Sequence, residues 1–291
     1  MSSAPLLRPA VVGIAGAGVM GCAIAAEFAR AGCDVVLYDI ASDARDAAQY
    51  EVRRSLRTRA LLRAEQLEES PGTVSARVLP TPNIADLAPC PVVVENISED
   101  MPAKERFYRA FASLKENKVS LLVVNSSTVE IRRVAEWVGR GDHVIGVHFM
   151  NPVGLIDAVE VIASEATSAA AMDIADQLLA AIGKTPLKVK DHCGYVSNRI
   201  FMLTVNEAIR TLADGVASAG TIDQIFERCF GWRSGPLATA DLIGLDTVRL
   251  SLIALRQGFG DAKFTPAGLL DEMVASGRTG FKSGHGFYDY S

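Results

Sequence analysis

The stretch that most limits how this chain can fold is Gly16-Ala17-Gly18-Val19-Met20-Gly21. It is preceded by Ala10–Ala15, an apolar run without polar alternation, which reads as a strand buried on both faces. Val19–Ala31 follows as a run of mostly small apolar residues that reads as a helix, with Gly32 ending it. Cys33–Tyr38 is the next strand. A glycine-rich turn inside such a strand–helix–strand unit commits the chain to a parallel sheet with crossover helices. Gly16 permits the tight turn, Gly18 lets the backbone approach a pyrophosphate, and Gly21 lets helix and strand come close. The helix start at Val19 and Met20 turns its N–H groups and its positive dipole end toward phosphates. In this setting the pattern predicts dinucleotide binding. Asp39 ends the second strand, 18 residues after Gly21. A carboxylate there accepts from ribose hydroxyls and repels a 2′-phosphate, which favours NAD over NADP. It can also cap the next helix, and the two roles are compatible.

The alternation continues downstream. Residues 42–68, rich in Ala, Arg, Glu, Leu and Gln, predict one long helix or a helical hairpin, mostly solvated. Strands are expected at Val92–Glu95, Leu121–Asn125 and Val144–Phe149, with helices near Lys104–Leu114 and Val129–Val138. A last strand, Ala158–Ile162, follows Phe149 so soon that an antiparallel return is expected. After about residue 195 only helical patterns remain: Ser197–Ala213, Thr221–Cys229, Asp241–Gln257 and Pro266–Ser276. The expected class is α/β. A Rossmann-type, mainly parallel sheet would occupy residues 1–190 and an all-helical C-terminal domain residues 191–291. A short polar connection near Lys188–Gly194 would join them.

Bulk properties exclude several classes. With 291 residues and 49% hydrophobic content, the chain can bury a substantial core. A net charge of -5 argues against a nucleic-acid partner. The five cysteines are odd in number and lack CxxC spacing, so neither disulfides nor a metal site is expected. The opening MSSAPLLRPA does not read as a signal peptide, and no apolar run reaches about 18 residues. A cytoplasmic protein without a membrane partner is the expectation.

Three further constellations carry polar groups suited to chemistry. His148 lies near the end of the strand Val144–Phe149, and Glu160 lies on the next strand, 12 residues on. A hairpin would bring the carboxylate to the imidazole, fix its tautomer and make His148 a general base for an alcohol. A satisfied core histidine is the alternative, and the residues alone leave it open. Asn125-Ser126-Ser127-Thr128 follows a strand at the sheet edge where ligands bind, yet it reads equally as a helix cap with Glu130 behind it. Asn198 and Arg199 open the first helix of the second domain, either toward a cleft or as ordinary first-turn polar residues.

Together with Ala158–Ile162, Gly194–Arg199, Gly235-Pro236-Leu237, Asp241–Asp246 and Lys282–Tyr288, these motifs resemble the short-chain L-3-hydroxyacyl-CoA dehydrogenases, including 3-hydroxybutyryl-CoA dehydrogenases. The resemblance covers nearly the whole chain. It implies NAD as cofactor, a small acyl thioester as substrate and a homodimer formed through the helical domain. It implies His148 as base with Glu160 as its partner, and Ser127 and Asn198 holding the substrate oxygen. Glu99, Lys104, Asn151 and Lys282 would contact NAD or support its site.

One departure bears on the acyl carrier. CoA-specific relatives carry a serine and a lysine after the Asp39 position to meet the CoA nucleotide. The serine is kept as Ser55, but the lysine position is Leu62, with Arg59 and Arg63 as candidate substitutes. The stretches Cys229–Asp241 and Phe264-Thr265-Pro266 look similar to a polyketide subgroup that oxidises glyceryl groups on an acyl carrier protein for hydroxymalonyl-type extender units. Such a substrate lacks the CoA nucleotide. Two other readings are a free hydroxy-acid dehydrogenase of the gulonate type, with Arg199 for the carboxylate, and a non-catalytic NAD-binding protein.

Overall fold

The computed structural model describes residues 9–115, 117–127 and 129–291. The chain divides into two compact units, one ending at Asp191 and one running from His192 to Ser291.

The first unit runs β1 (Val11–Ala15), α1 (Val19–Arg30), β2 (Asp34–Tyr38), α2 (Ser42–Arg63), α3 (Pro71–Ser75) and β3 (Val78–Thr81). It continues β4 (Val92–Glu95), α4 (Met101–Ala112), β5 (Leu121–Val124), α5 (Ile131–Val138), β6 (Val144–His148), β7 (Ala158–Ala163), α6 (Ala169–Ala181) and β8 (Thr185–Lys190). The sheet order is β3-β2-β1-β4-β5-β6-β7-β8. Its pairings are parallel except β6 with β7, which is antiparallel. The expected mainly parallel architecture is thus borne out. Central strands β4 and β5 are buried at every residue, which is why they read as unbroken apolar runs. α2 is one helix rather than a hairpin. It buries the stripe Ala48, Val52, Leu56 and Arg59 and leaves its other residues half-buried or exposed.

Two strands escaped the sequence reading, and both lie at sheet edges. β3 contains Pro80, and β8 contains Pro186 with charged, largely exposed alternation. Edge strands tolerate proline and carry charge because one side of their backbone is unpaired, so they lack the apolar signature. The polar connection expected to start at Lys188 is corrected accordingly: Lys188–Lys190 belong to β8.

The second unit comprises α7 (Ser197–Ala213), α8 (Ala219–Phe230), α9 (Pro236–Ile243), α10 (Leu245–Phe259) and α11 (Gly268–Ala275). Asp241–Gln257, expected as one helix, breaks at Gly244, whose φ of 99° only glycine adopts without strain. Its core gathers Val205, Leu237, Leu245, Leu252 and Phe264, all fully buried. Two buried aspartates organise it. Asp223 accepts from the Leu237 and Ala238 N–H groups at 2.8 Å each, capping α9. Asp241 accepts from the Phe287 and Tyr288 N–H groups at 3.0 Å each and from the Tyr290 hydroxyl at 3.1 Å. A Cβ on Gly286 would lie 2.0 Å from the Asp241 carboxylate, which explains the glycine in the closing Gly-His-Gly-Phe-Tyr.

Candidate active site

The antiparallel register of β6 and β7 sets His148 directly opposite Glu160. Directly opposed residues share a face of the sheet, so the side chains meet. His148 Nδ1 lies 3.0 Å from Glu160 Oε2, and Glu160 is 5% exposed. A carboxylate at Nδ1 keeps the proton there and puts the basic lone pair on Nε2. His148 ends its strand, which places the pair at the carboxyl edge of the parallel strands, where ligands bind in such sheets.

The glycine-rich turn is held rigidly. Gly16 has φ +102° and donates to the Tyr38 carbonyl at 2.7 Å; a Cβ there would lie 2.4 Å from the Asn96 carbonyl oxygen. A Cβ on Gly21 would fall 1.8 Å from the Gly16 carbonyl, so helix and turn touch backbone to backbone. At Gly18 a Cβ would meet nothing within 4 Å, which leaves that side of the turn open to a ligand. No side chain caps the start of α1 at Val19 and Met20. Asp39 ties the turn to β2: its carboxylate accepts from the Ala17 N–H at 2.7 Å and the Ala41 N–H at 2.9 Å. Each carboxylate oxygen keeps a second lone pair for a ribose hydroxyl. A groove of about 800 Å³ opens here, lined by Gly16, Gly18, Asp39, Asn96 and Ile97 with apolar walls that include Phe107. Backbone donors beside a carboxylate and an apolar slot fit a dinucleotide.

The loops after β4, β5 and β6 are cross-linked at the same edge. Glu99 accepts from the Ser126 hydroxyl at 2.8 Å and from the Ser127 N–H at 3.0 Å. Lys104 is fully buried; its ammonium donates to Glu95 at 2.7 Å and stands 3.7 Å from Glu99. Glu95 also accepts from the Tyr108 hydroxyl. Burial pushes the Glu95 carboxyl above its ordinary pKa, against the pull of the Lys104 charge. Lys104 is thus held inside the protein, and its ammonium also donates to the Ile97 carbonyl at 3.4 Å. Asn125 accepts from the Phe149 N–H at 3.0 Å and donates to the Asn96 side chain. Thr128 lies outside the described residues.

Ser55 on α2 and exposed Asn151 border a second groove, with Val19 and Thr58. Arg59 and Arg63 are not available to replace a lysine at position 62. Arg59 is 9% exposed and bonded to Glu27, Glu65 and the Gly154 carbonyl. Arg63 is bonded to the Gly154 and Leu155 carbonyls and paired with Asp157. In the second unit Asn198 is buried on α7, Lys282 pairs with Asp246 at 2.6 Å, and the Arg199 guanidinium lies over the Phe259 ring at 4.4 Å. Among the described residues no group of His, Cys, Asp and Glu is arranged to hold a metal ion, and no helix is long and apolar enough to cross a membrane. Sequence reasoning missed Asp191, whose carboxylate accepts from the Ile131 and Arg132 N–H groups at 2.8 Å each and caps α5. It sits about 60 residues away in sequence, so no local capping pattern marks it.

Comparison with known proteins assigns residues 11–290 almost without a break. The family model described as 3-hydroxyacyl-CoA dehydrogenase, NAD binding domain, matches residues 11–192, and that for the C-terminal domain of the same family matches residues 194–290. A probable 3-hydroxybutyryl-CoA dehydrogenase of Deinococcus radiodurans is 39% identical over 96% of this chain and 99% of its own. A 3-hydroxybutyryl-CoA dehydrogenase of Clostridioides difficile is 36% identical over 96% and 98%. Among solved structures, (S)-3-hydroxybutyryl-CoA dehydrogenase of Ralstonia eutropha superimposes with a TM-score of 0.85 at 34% identity, covering 97% of this chain and 99% of that one. FadB2 of M. tuberculosis does so with a TM-score of 0.90 at 29% identity, covering 97% and 99%.

Proposed function

The chain belongs to the 3-hydroxyacyl-CoA dehydrogenase family of NAD-dependent oxidoreductases, and from that premise we propose that it oxidises the 3-hydroxyl of a short acyl thioester, 3-hydroxybutyryl-CoA first among them. The observation that carries the mechanism is the His148–Glu160 pair at 3.0 Å. In this reading NAD, when bound, would supply the acceptor for the hydride at C3. His148 Nε2 removes the hydroxyl proton as the carbonyl forms, and Glu160 stabilises the resulting imidazolium. Reversal returns the proton from His148 to the 3-oxo oxygen. Such base catalysis is worth about 10²–10⁴-fold, and positioning supplies much of the remainder. Ser127 and Asn198 would hold the substrate oxygen. Gly16, Gly18, Val19, Met20, Gly21, Asp39, Glu99 and Asn151 would hold NAD, with Lys104 and Lys282 as supports, and Ser55 would meet the carrier arm. Residues 1–190 would form the cofactor domain and 191–291 the helical domain. Exposed Val216, Ile225 and Phe230 favour a homodimer through that helical domain. The odd number of cysteines and their lack of CxxC spacing favour a cytoplasmic setting.

A second reading has specific support. Leu62 is 62% exposed and Leu61 79%, while Arg59 and Arg63 are bonded to the 153–156 turn, so neither stands in for the lysine that CoA-specific relatives carry at position 62. An acyl group such as glyceryl, carried on the phosphopantetheine of an acyl carrier protein, would not need it. The test is NADH formation at 340 nm with 3-hydroxybutyryl-CoA against glyceryl-carrier protein at matched concentrations. Turnover of the CoA ester supports the first reading, turnover of the carrier protein alone supports the second, and turnover of neither overturns both.

A further inference from the structure

Residues 149–157 join β6 to β7, the strands that bear His148 and Glu160, and Asn151 lies near the start of this connection. Four successive carbonyls within it accept hydrogen bonds from cationic side chains. Lys184 donates to Val153 O and, at 2.7 Å, to Ile156 O. Arg59 donates to Gly154 O at 2.7 Å. Arg63 donates to Gly154 O and Leu155 O, both at 2.9 Å. The cations come from two distant places, α2 and the residue before β8. Glu27 and Glu65 balance Arg59 at 3.2 and 2.6 Å, and Asp157 pairs with Arg63. Arg59, Lys184 and Glu27 are 9%, 4% and 1% exposed.

Burying charges at this density is expensive, and apolar residues of similar volume often stabilise a fold at least as well. Burial accordingly pushes the Lys184 ammonium below its ordinary pKa. Apolar side chains would, however, leave a row of turn carbonyls without donors. Cationic heads satisfy them and at the same time dictate where each carbonyl points. Gly154 lies close against this cluster: a Cβ there would stand 3.1 Å from Arg59 Cβ and 3.2 Å from a Glu27 oxygen. The clamped turn has two outlets. At one end it carries Asn151, and along its length Val153–Leu155 form the wall of the groove that faces Ser55.

We propose that Arg59, Arg63 and Lys184 are positioning residues that clamp the 153–156 turn and so set both Asn151 and the wall of the Ser55 groove for the substrate. The kinetic part of this inference rests on the proposed dehydrogenase reading, whereas the clamp itself does not. The consequence for the carrier arm is direct, since guanidinium groups spent on the turn are withheld from a substrate phosphate.

The test uses the full chain with Arg63→Gln, Gly154→Ala and Lys184→Met. Hydrogen exchange is followed over residues 151–157, together with steady-state kinetics on 3-hydroxybutyryl-CoA. Removing charged hydrogen bonds is expected to speed exchange in the turn about tenfold. Misplacing the groove wall is expected to lower kcat/KM by up to about 10²-fold, mainly through KM for the thioester. Arg63→Lys, which keeps the charge and an N–H donor head but not the guanidinium fork, restores part of both. Gly154→Ala keeps every charge and acts only by displacement; with Arg63→Gln it decides the matter if Lys184→Met does not fold. Unchanged exchange in Arg63→Gln and Gly154→Ala overturns the clamp. Faster exchange with KM and kcat unchanged overturns the positioning role. A wild-type chain that turns over no thioester overturns the functional reading instead, and the exchange data still decide the clamp.

Discussion

Replacing Glu160 with Gln keeps the shape of the side chain and removes its charge, so it tests the proposed catalytic pair with little disturbance of β7. The carboxylate oxygen lies 3.0 Å from His148 Nδ1. At an effective dielectric constant of about 20, a full imidazolium at that distance would be favoured by about 5.5 kcal/mol. If about half of the positive charge has developed in the transition state, about 2.7 kcal/mol is lost, which is about 10²-fold in rate. The amide brings a second penalty. Its NH₂ group can donate to Nδ1, which moves the ring proton to Nε2 and removes the base. The expected fall in kcat is therefore about 10² to 10⁴-fold, with KM for the thioester little changed. The assay is NADH formation at 340 nm, with NADH affinity and thermal melting measured alongside to show that the cofactor site and fold survive. Losing a charged acceptor in a buried site lowers stability by about 1–3 kcal/mol, too little to explain a hundredfold loss of turnover. A fall of less than about tenfold would refute the assignment of Glu160 as the group that orients and stabilises His148.

Asp39→Ala removes the acceptor for the Ala17 and Ala41 N–H groups and the groove's candidate ribose partner, so NADH affinity should weaken at least about tenfold in a fluorescence titration, with discrimination against NADPH reduced. Lys104→Met strands the buried Glu95 charge beside Glu99 and should cost about 3–5 kcal/mol in urea denaturation, because breaking a buried pair leaves an uncompensated charge. Native protein should release colour with Ellman's reagent from Cys229 alone at pH 8, and from all five thiols after denaturation. Cys229 is exposed, whereas Cys22, Cys33, Cys90 and Cys193 are buried, and burial first among the causes pushes the Cys22 thiol up to about 12.

The elements that could be read in advance share one property: their neighbours in sequence are also their partners in function. Gly16–Gly21 lies between its own strand and helix, and Asp39 ends the very next strand, so the cofactor unit is a local pattern. The His148–Glu160 pair was legible as a candidate because a short return is nearly bound to be antiparallel. Its register, which sets His148 directly opposite Glu160, came only with the sheet. Lys104 illustrates the opposite case. Its position matched a cofactor contact, yet its ammonium is buried between Glu95 and Glu99, because α4 packs that side chain inward toward the end of β4. Edge strands β3 and β8 were missed because they pair on one side only and carry proline or charge where a central strand would carry valine.

The sequence by itself determined a dinucleotide-binding strand–turn–helix unit, a preference for NAD, the mainly parallel sheet followed by helices, and the short list from which the catalytic base is drawn. Those features rest on periodicity and on the spacing of glycines within one strand–turn–helix unit, both local patterns. Tertiary structure alone decided that Asp191 caps α5 across about 60 residues, that Glu99 holds the Ser126–Ser127 loop, and that Arg59, Arg63 and Lys184 converge on one turn. Long-range hydrogen bonds to backbone leave no periodic trace in a chain, since an arginine serving a carbonyl some 90 residues away is spelled like any arginine on a solvated helix.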